Sequence, residues 1–332
     1  MKKMFMVACC LASVVLVSLQ AVAADKPIVL RYAHMNAPTS VAGKQATMFA
    51  ELVAQKTNGA VKIDVFPSSQ LGTLQEMAEQ VSTGTVAFHH NTMAGIGSLY
   101  QDFGALDTPY LYRDVAHLMQ VTNPASPIMQ TLSAELVKAK GVRVLYTFYF
   151  GTRELTANKE VKTPKDLEGV KIRAIPFPIY MTTVEGMGAV ATPVDWSEVP
   201  TALATGTVSG QENPFDVIWS AKLYEIQKYM MLTNHIMGAE CVVANEEVFS
   251  GLPEEIQKQI LEAAAEVSAQ ATKMTQDLEA QQLADLKAKG MTVIGAEEGL
   301  DIEAFKTSVQ AAIEKKFGEQ YGELYKQIKA MM

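Results

Sequence analysis

The sequence predicts an α/β fold of two domains. Strand-like apolar runs alternate with helical segments from Ile28 to Ala244, and the length exceeds what one core usually serves. After Pro253 the composition turns helical, with no Gly or Pro before Gly290.

The chain opens with Lys2 and Lys3, an apolar run from Met4 to Leu19, and Ala21-Val22-Ala23, a small-x-small cleavage pattern. These read as a secretory signal removed after Ala23. The run is short for a spanning helix of ~20 apolar residues. Met6-Val7-Ala8-Cys9 comes too early to serve as a lipidation box. Removing 23 of the 332 residues leaves 309, hence two domains. The whole chain has a formal net charge of −8, and the two signal lysines leave with the leader. A mature chain this acidic, without a basic run, is a poor partner for nucleic acid. Cys241 would be its lone cysteine, which excludes an intrachain disulfide and a cysteine metal site.

Ile28–His34 reads as the first strand, followed by a turn through Asn36-Ala37-Pro38. Thr39 or Ser40 can cap a helix to about Lys56, with Ala46, Phe49, Ala50 and Val53 on one face, and Asn58-Gly59 breaks it. Val61–Val65 alternates as a strand, Pro67 to Gly72 is a loop, Thr73 to Ser82 a helix, and Val86–His90 a strand. The rhythm resumes with strand Val142–Phe148, a loop and short helix over 161–167, and strand Val170–Ala174. Helices follow at Ile179–Met187 and Ser197–Thr205, each stopped by glycine, then strand candidates at Met230–Thr233 and Glu240–Ala244. Glu254 to about Lys289 is one long helix or two in line, and a last helix runs from about Ile302 to Met331.

An ordered set of segments carries a family pattern: Phe66–Gly72, Gly151-Thr152-Arg153-Glu154-Leu155-Thr156, Asp166–Arg173, Trp196-Ser197-Glu198-Val199, Gly210-Gln211-Glu212-Asn213-Pro214 and Thr233-Asn234-His235. With these the chain resembles the solute receptors of TRAP (tripartite ATP-independent periplasmic) transporters, in their dicarboxylate-receptor branch. The resemblance implies a periplasmic-binding-protein clamshell with a long helix spanning both domains. Domain I would hold 24–148 and about 236–275, and domain II 149–235 and about 276–332. It further implies a periplasmic location, a membrane permease of small and large subunits as partner, no cofactor and no catalysis.

Arg173 is the central candidate. It ends an apolar strand before a Pro-rich loop, and ligands of open α/β sheets sit at the C-terminal ends of strands. A guanidinium offers two parallel donors to a carboxylate, a geometry lysine cannot copy. Spacing alone also allows a structural ion pair; the resemblance makes Arg173 the carboxylate-binding arginine. It likewise brings Arg153 and Asn213 to the ligand acid and gives Trp196 the aromatic position. Asn36, Asn91 and Thr92 are expected to line the other domain's side of the cleft. His89 and His90 point to opposite faces of a strand and so cannot easily share a metal ion.

Phe150, Phe215 and Trp219 lie close in sequence to the arginines and Asn213, so the ligand is expected to be an aromatic monocarboxylate, indole or phenyl in type. Glu240 could then pair with an amine. The alternatives are a sugar acid or other hydroxy acid, and, in a different class, a sensor that reports to a membrane kinase. An exported enzyme is disfavoured: no G-x-S-x-G or H-E-x-x-H motif is present, and Cys241 sits in an apolar run.

Overall fold

A computed structural model describes residues 26–331; the expected signal segment, 1–23, lies outside the described residues. The first half runs β1 (Ile28–Ala33), α1 (Val41–Lys56), β2 (Val61–Phe66), α2 (Leu74–Ser82), β3 (Phe88–Thr92), α3 (Met93–Ile96), α4 (Val115–Thr122) and α5 (Pro127–Lys140). Then come β4 (Val142–Ala157), β5 (Lys171–Ala174), α6 (Pro178–Gly186), β6 (Val190–Pro193), α7 (Val199–Ala204), β7 (Gly210–Pro214) and α8 (Phe215–Ser220). The chain closes with β8 (Tyr229–Asn245), α9 (Glu246–Ser250), α10 (Glu254–Ala288), β9 (Thr292–Ile294) and α11 (Ile302–Ala330).

Ser40 caps α1 by accepting from the Gly43 amide, and Thr73 and Glu76 close a capping box on α2. α3, α4 and α5 fill the stretch between Thr92 and Val142, where no element is expected from the sequence. The signals for α5 were present: Ser126 caps it, Pro127 takes the first turn, and Gly141 ends it in the left-handed conformation.

The strands form a single sheet in the order β2-β1-β3-β8-β4-β7-β5-β6, with β9 on β8. β1, β2 and β3 are mutually parallel, as are β5, β6 and β7. Between these two groups β4 and β8 pair antiparallel from Val142↔Asn245 to Ala157↔Tyr229 and cross from one half to the other. The two short strands expected at 230–233 and 240–244 are therefore parts of one strand, and the strand expected at 142–148 is twice that long. Both crossing strands bend near their middles. Gly151 has φ +114°, the register shifts between Tyr149 and Gly151, and a Cβ on Gly151 would fall 2.8 Å from Pro214 Cβ.

Helix α10 is one continuous helix of 35 residues, about 50 Å at ~1.5 Å per residue. Ile260, Ala263, Ala264, Val267 and Ala271 are buried against the α1 side of the first half, and Leu286 against the second. α11 also bridges: Phe305, Val309 and Ile313 pack beside α6, whereas Ile328 joins the core around α4 and α5. α11 thus contacts the cores of both halves.

Candidate functional site

The sheet topology creates the site. β3 ends at Thr92, opposite Glu240, and β7 ends at Pro214, opposite Arg153. The C-terminal ends of the parallel strands in both halves therefore converge on the bent middles of β4 and β8, where open sheets bind ligands. A cavity of about 250 Å³ lies between the halves, bounded by Asn36, Ser68 and Ser69 from one and Trp196, Ser197 and Ser220 from the other; neither Arg153 nor Arg173 lines it. A larger groove of about 510 Å³ beside α10 is bordered by Lys273, which is exposed and paired with Asp277, and by no buried cation.

Arg153 and Arg173 are both buried, with very different surroundings. Arg153 forks onto Glu212 through Nε at 2.5 Å and Nη2 at 2.9 Å, and Nη2 also donates to the Glu212 carbonyl at 2.8 Å. Its guanidinium lies 5.1 Å from the Tyr180 ring centre, and His235 Nε2 lies 3.0 Å from Glu212. Burial alone would raise the Glu212 carboxyl, yet Arg153 and His235 hold it at about 2. Arg173 has no such partner. Nε donates to the Val194 carbonyl at 2.9 Å, and among the described residues its terminal amino groups meet no acceptor. Its guanidinium sits 5.8 Å from the Trp196 ring. Burial lowers it to about 10, against the attraction of Glu212 nearby and with some repulsion from Arg153, so it stays charged at neutral pH.

The first half answers with polar groups. Asn36 donates its backbone N–H to His34 Nδ1 at 3.2 Å, and Asn36 Oδ1 lies 2.8 Å from His90 Nε2. The His34 and His90 rings stack at 4.7 Å, and Tyr32 and Gln45 fix His90 Nδ1 from behind. Burial lowers His34 to about 3 and His90 well below its ordinary value, so both are neutral. Asp107 accepts from the Ala94 amide at 2.7 Å and the Tyr180 hydroxyl at 3.0 Å, and burial raises it to about 6. Glu240, buried beside Thr92 and Phe148, is pushed well up by burial and by Asp107.

Several expected site residues are placed elsewhere. Asn91 faces the opposite side of β3 from Thr92, toward the Leu74 carbonyl and His89, because consecutive strand residues alternate. Phe150 is buried in the core shared with α1 and α10. Phe215 and Trp219 pack with α7 and the end of α10; Trp219 lies 5.3 Å from Tyr224 and 5.9 Å from the Lys289 ammonium. Of the four aromatics only Trp196 lies over Arg173. The correction has a simple cause: large rings also fill the layers that hold helices on a sheet. Asn213, one strand from Arg173, donates to Gln211 at 2.5 Å. Asp107, Tyr180 and His34 carried no sequence signal. Glu212 and His235 lie inside the family segments, Glu212 next to Asn213.

Residues 32–320 match the family described as bacterial extracellular solute-binding protein, family 7. The chain belongs to this family. Its members are periplasmic receptors and not enzymes, and the relatives bear the carboxylate theme. The chain is 32% identical to the 2,3-diketo-L-gulonate-binding periplasmic protein YiaO of Escherichia coli, over 87% of this chain and 86% of that protein. It is 31% identical to the C4-dicarboxylate-binding periplasmic protein DctP of Rhodobacter capsulatus, over 93% of each. A TRAP periplasmic solute-binding protein from Polaromonas, solved with D-erythronate bound, superposes with a TM-score of 0.84 at 31% identity, covering 92% of this chain and 98% of that one. The family-7 receptor fold thus accounts for the sheet, the crossing strands and the long bracing helix.

Proposed function

We propose that this family-7 receptor is exported, binds a small hydroxylated organic acid with its carboxylate on Arg173, and delivers it to a TRAP permease of small and large subunits. The observation that carries the reading is the contrast between the arginines: Arg153 is in a direct ion pair with Glu212, whereas among the described residues no carboxylate bonds the buried guanidinium of Arg173. A bidentate carboxylate supplies the missing charge and acceptors. Asn213, Trp196, Asn36 and Thr92 would complete the shell. The polar wall of histidines, Thr92 and acids favours a hydroxylated acid over the aromatic monocarboxylate expected from the sequence. A flat ring would leave those groups unpaired, at ~1–3 kcal/mol each. The ligands named for the E. coli and Polaromonas relatives, a diketo-gulonate and an erythronate, point the same way.

Calorimetric titration of parent and Arg173 variants with D-erythronate and 2,3-diketo-L-gulonate tests this. Arg173→Ala should cost ~2–5 kcal/mol of binding, and Arg173→Lys should also be damaging because the planar fork is lost. Unchanged affinity in a folded Arg173→Ala protein would refute the assignment.

A further inference from the structure

Among the described residues, both carboxylate oxygens of Glu240, Oδ1 of Asp107 and Nε2 of His34 are buried side-chain atoms without a hydrogen-bond partner. These residues gather in one place. Glu240 stands directly across the β3–β8 ladder from Thr92, on the same face. Thr92 leads into α3, whose Ala94 amide is held by Asp107, and Asp107 in turn holds the Tyr180 hydroxyl beneath Arg153. His34 stacks on His90, two residues before Thr92 on the same strand face. His34 Nδ1 already accepts from Asn36, so Nε2 carries the proton and is an idle donor. The nearest cation to Glu240, Arg153, is already engaged by Glu212. Buried acceptors left unpaired are costly, and natural structures satisfy nearly all of them. Gln227 Nε2 and Gln259 Oε1 are also unpaired, outside this group; the four atoms gathered here are three carboxylate oxygens and one N–H.

We propose that Glu240 is the specificity-determining residue of the cleft: it takes the hydroxyl groups of a monocarboxylate and discriminates against dicarboxylates. This rests on Arg173 holding the ligand's carboxylate. A hydroxyl both donates and accepts, so adjacent hydroxyls of an aldonate-type acid can donate to Glu240 and Asp107 and accept from His34. A second carboxylate in that place has no proton to give. It lies against two buried carboxyl groups that burial holds above their ordinary pKa, so it is accepted only while they keep their protons, and its binding weakens as pH rises. The family tolerates both chemistries, one relative being named for a C4-dicarboxylate and another for a six-carbon sugar acid. Glu240 is the group in this chain that would separate them.

The test is titration of the mature protein and its Glu240→Gln and Glu240→Met variants with D-erythronate, 2,3-diketo-L-gulonate and succinate, at pH 6 and pH 8. The parent should bind one or both sugar acids at least tenfold more tightly than succinate, more so at pH 8. Glu240→Gln should lower that ratio about tenfold or more, as expected for losing hydrogen bonds to an acid, and flatten its pH dependence. Glu240→Met should abolish the preference. Without ligand, both variants should melt no lower than the parent, because an unpaired buried acid has been removed. A ratio unchanged by either variant, or a parent that prefers succinate, overturns the role of Glu240 while leaving Arg173 in place. Failure of all three acids to bind the parent overturns the proposed function, and this inference falls with it.

Discussion

Glu212 decides which of the two arginines is free. It takes the fork of Arg153 and a bond from His235, leaving Arg173 without a carboxylate. Removing one member of a buried pair costs ~3–5 kcal/mol, because the other charge is stranded. Glu212→Gln should therefore lower the melting temperature at pH 7 markedly. The acid dependence follows from the shifts. Glu212 is held at about 2 against an ordinary 4.5, so its contribution is complete above 4.5 and is lost as pH falls toward 2. His34 is held at about 3 against 6.5, so the unfolded chain takes up a proton that the folded chain refuses, and stability falls as pH drops below 6.5. Calorimetric melts from pH 7 to pH 2 should show the gap between the parent and Glu212→Gln narrowing below pH 4.5. A gap constant with pH would contradict the pairing.

The elements that matter most for motion are those joining the halves. Asp216, on α8, accepts from the Val41 amide at the start of α1 at 2.8 Å and from Gln282 of α10 at 2.9 Å. One buried carboxylate thus caps a helix of the first half from the second, where the helix dipole favours it. Asp216→Ala should weaken ligand binding by about 1–2 kcal/mol through loss of the closed arrangement, while the carboxylate contact to Arg173 stays intact. Stopped-flow release should be faster with association little changed; slower association with release unaltered would rule out this role. At the bend of β4, Glu279 of α10 accepts from the Tyr149 hydroxyl at 2.7 Å, and Thr275 donates to the Tyr149 carbonyl at 2.9 Å. The long helix therefore grips the crossing strand next to Gly151.

For the whole molecule, connections through β4, β8, α10 and α11 allow the two halves to move as a hinged pair. A ligand that touches Arg173 on one side and the Glu240–His34 wall on the other binds the closed form better, and so favours it. Small-angle scattering should show a smaller radius of gyration on saturation with a verified ligand. An unchanged radius would argue that the cleft is permanently closed.

The sequence by itself determined the α/β class, a long helical stretch after Pro253, the separate last helix and the cation at the end of β5. Each of these depends on local signals: alternation, a stretch free of Gly and Pro, and an arginine closing an apolar run. That the stretch after Pro253 is one helix and not two in line was decided by the structure. The family segments also contained Glu212 and His235. Tertiary structure alone decided that Glu212 pairs with Arg153 and not Arg173, that Asn91 faces the Leu74 carbonyl and His89, and which layers Phe150, Phe215 and Trp219 pack into. It also decided that Asp107 and Glu240, far apart in the chain, share one wall with His34. Which groups end up unpaired is settled when distant strands bring them together, because desolvation and hydrogen-bond satisfaction belong to the assembled cleft and not to any single segment.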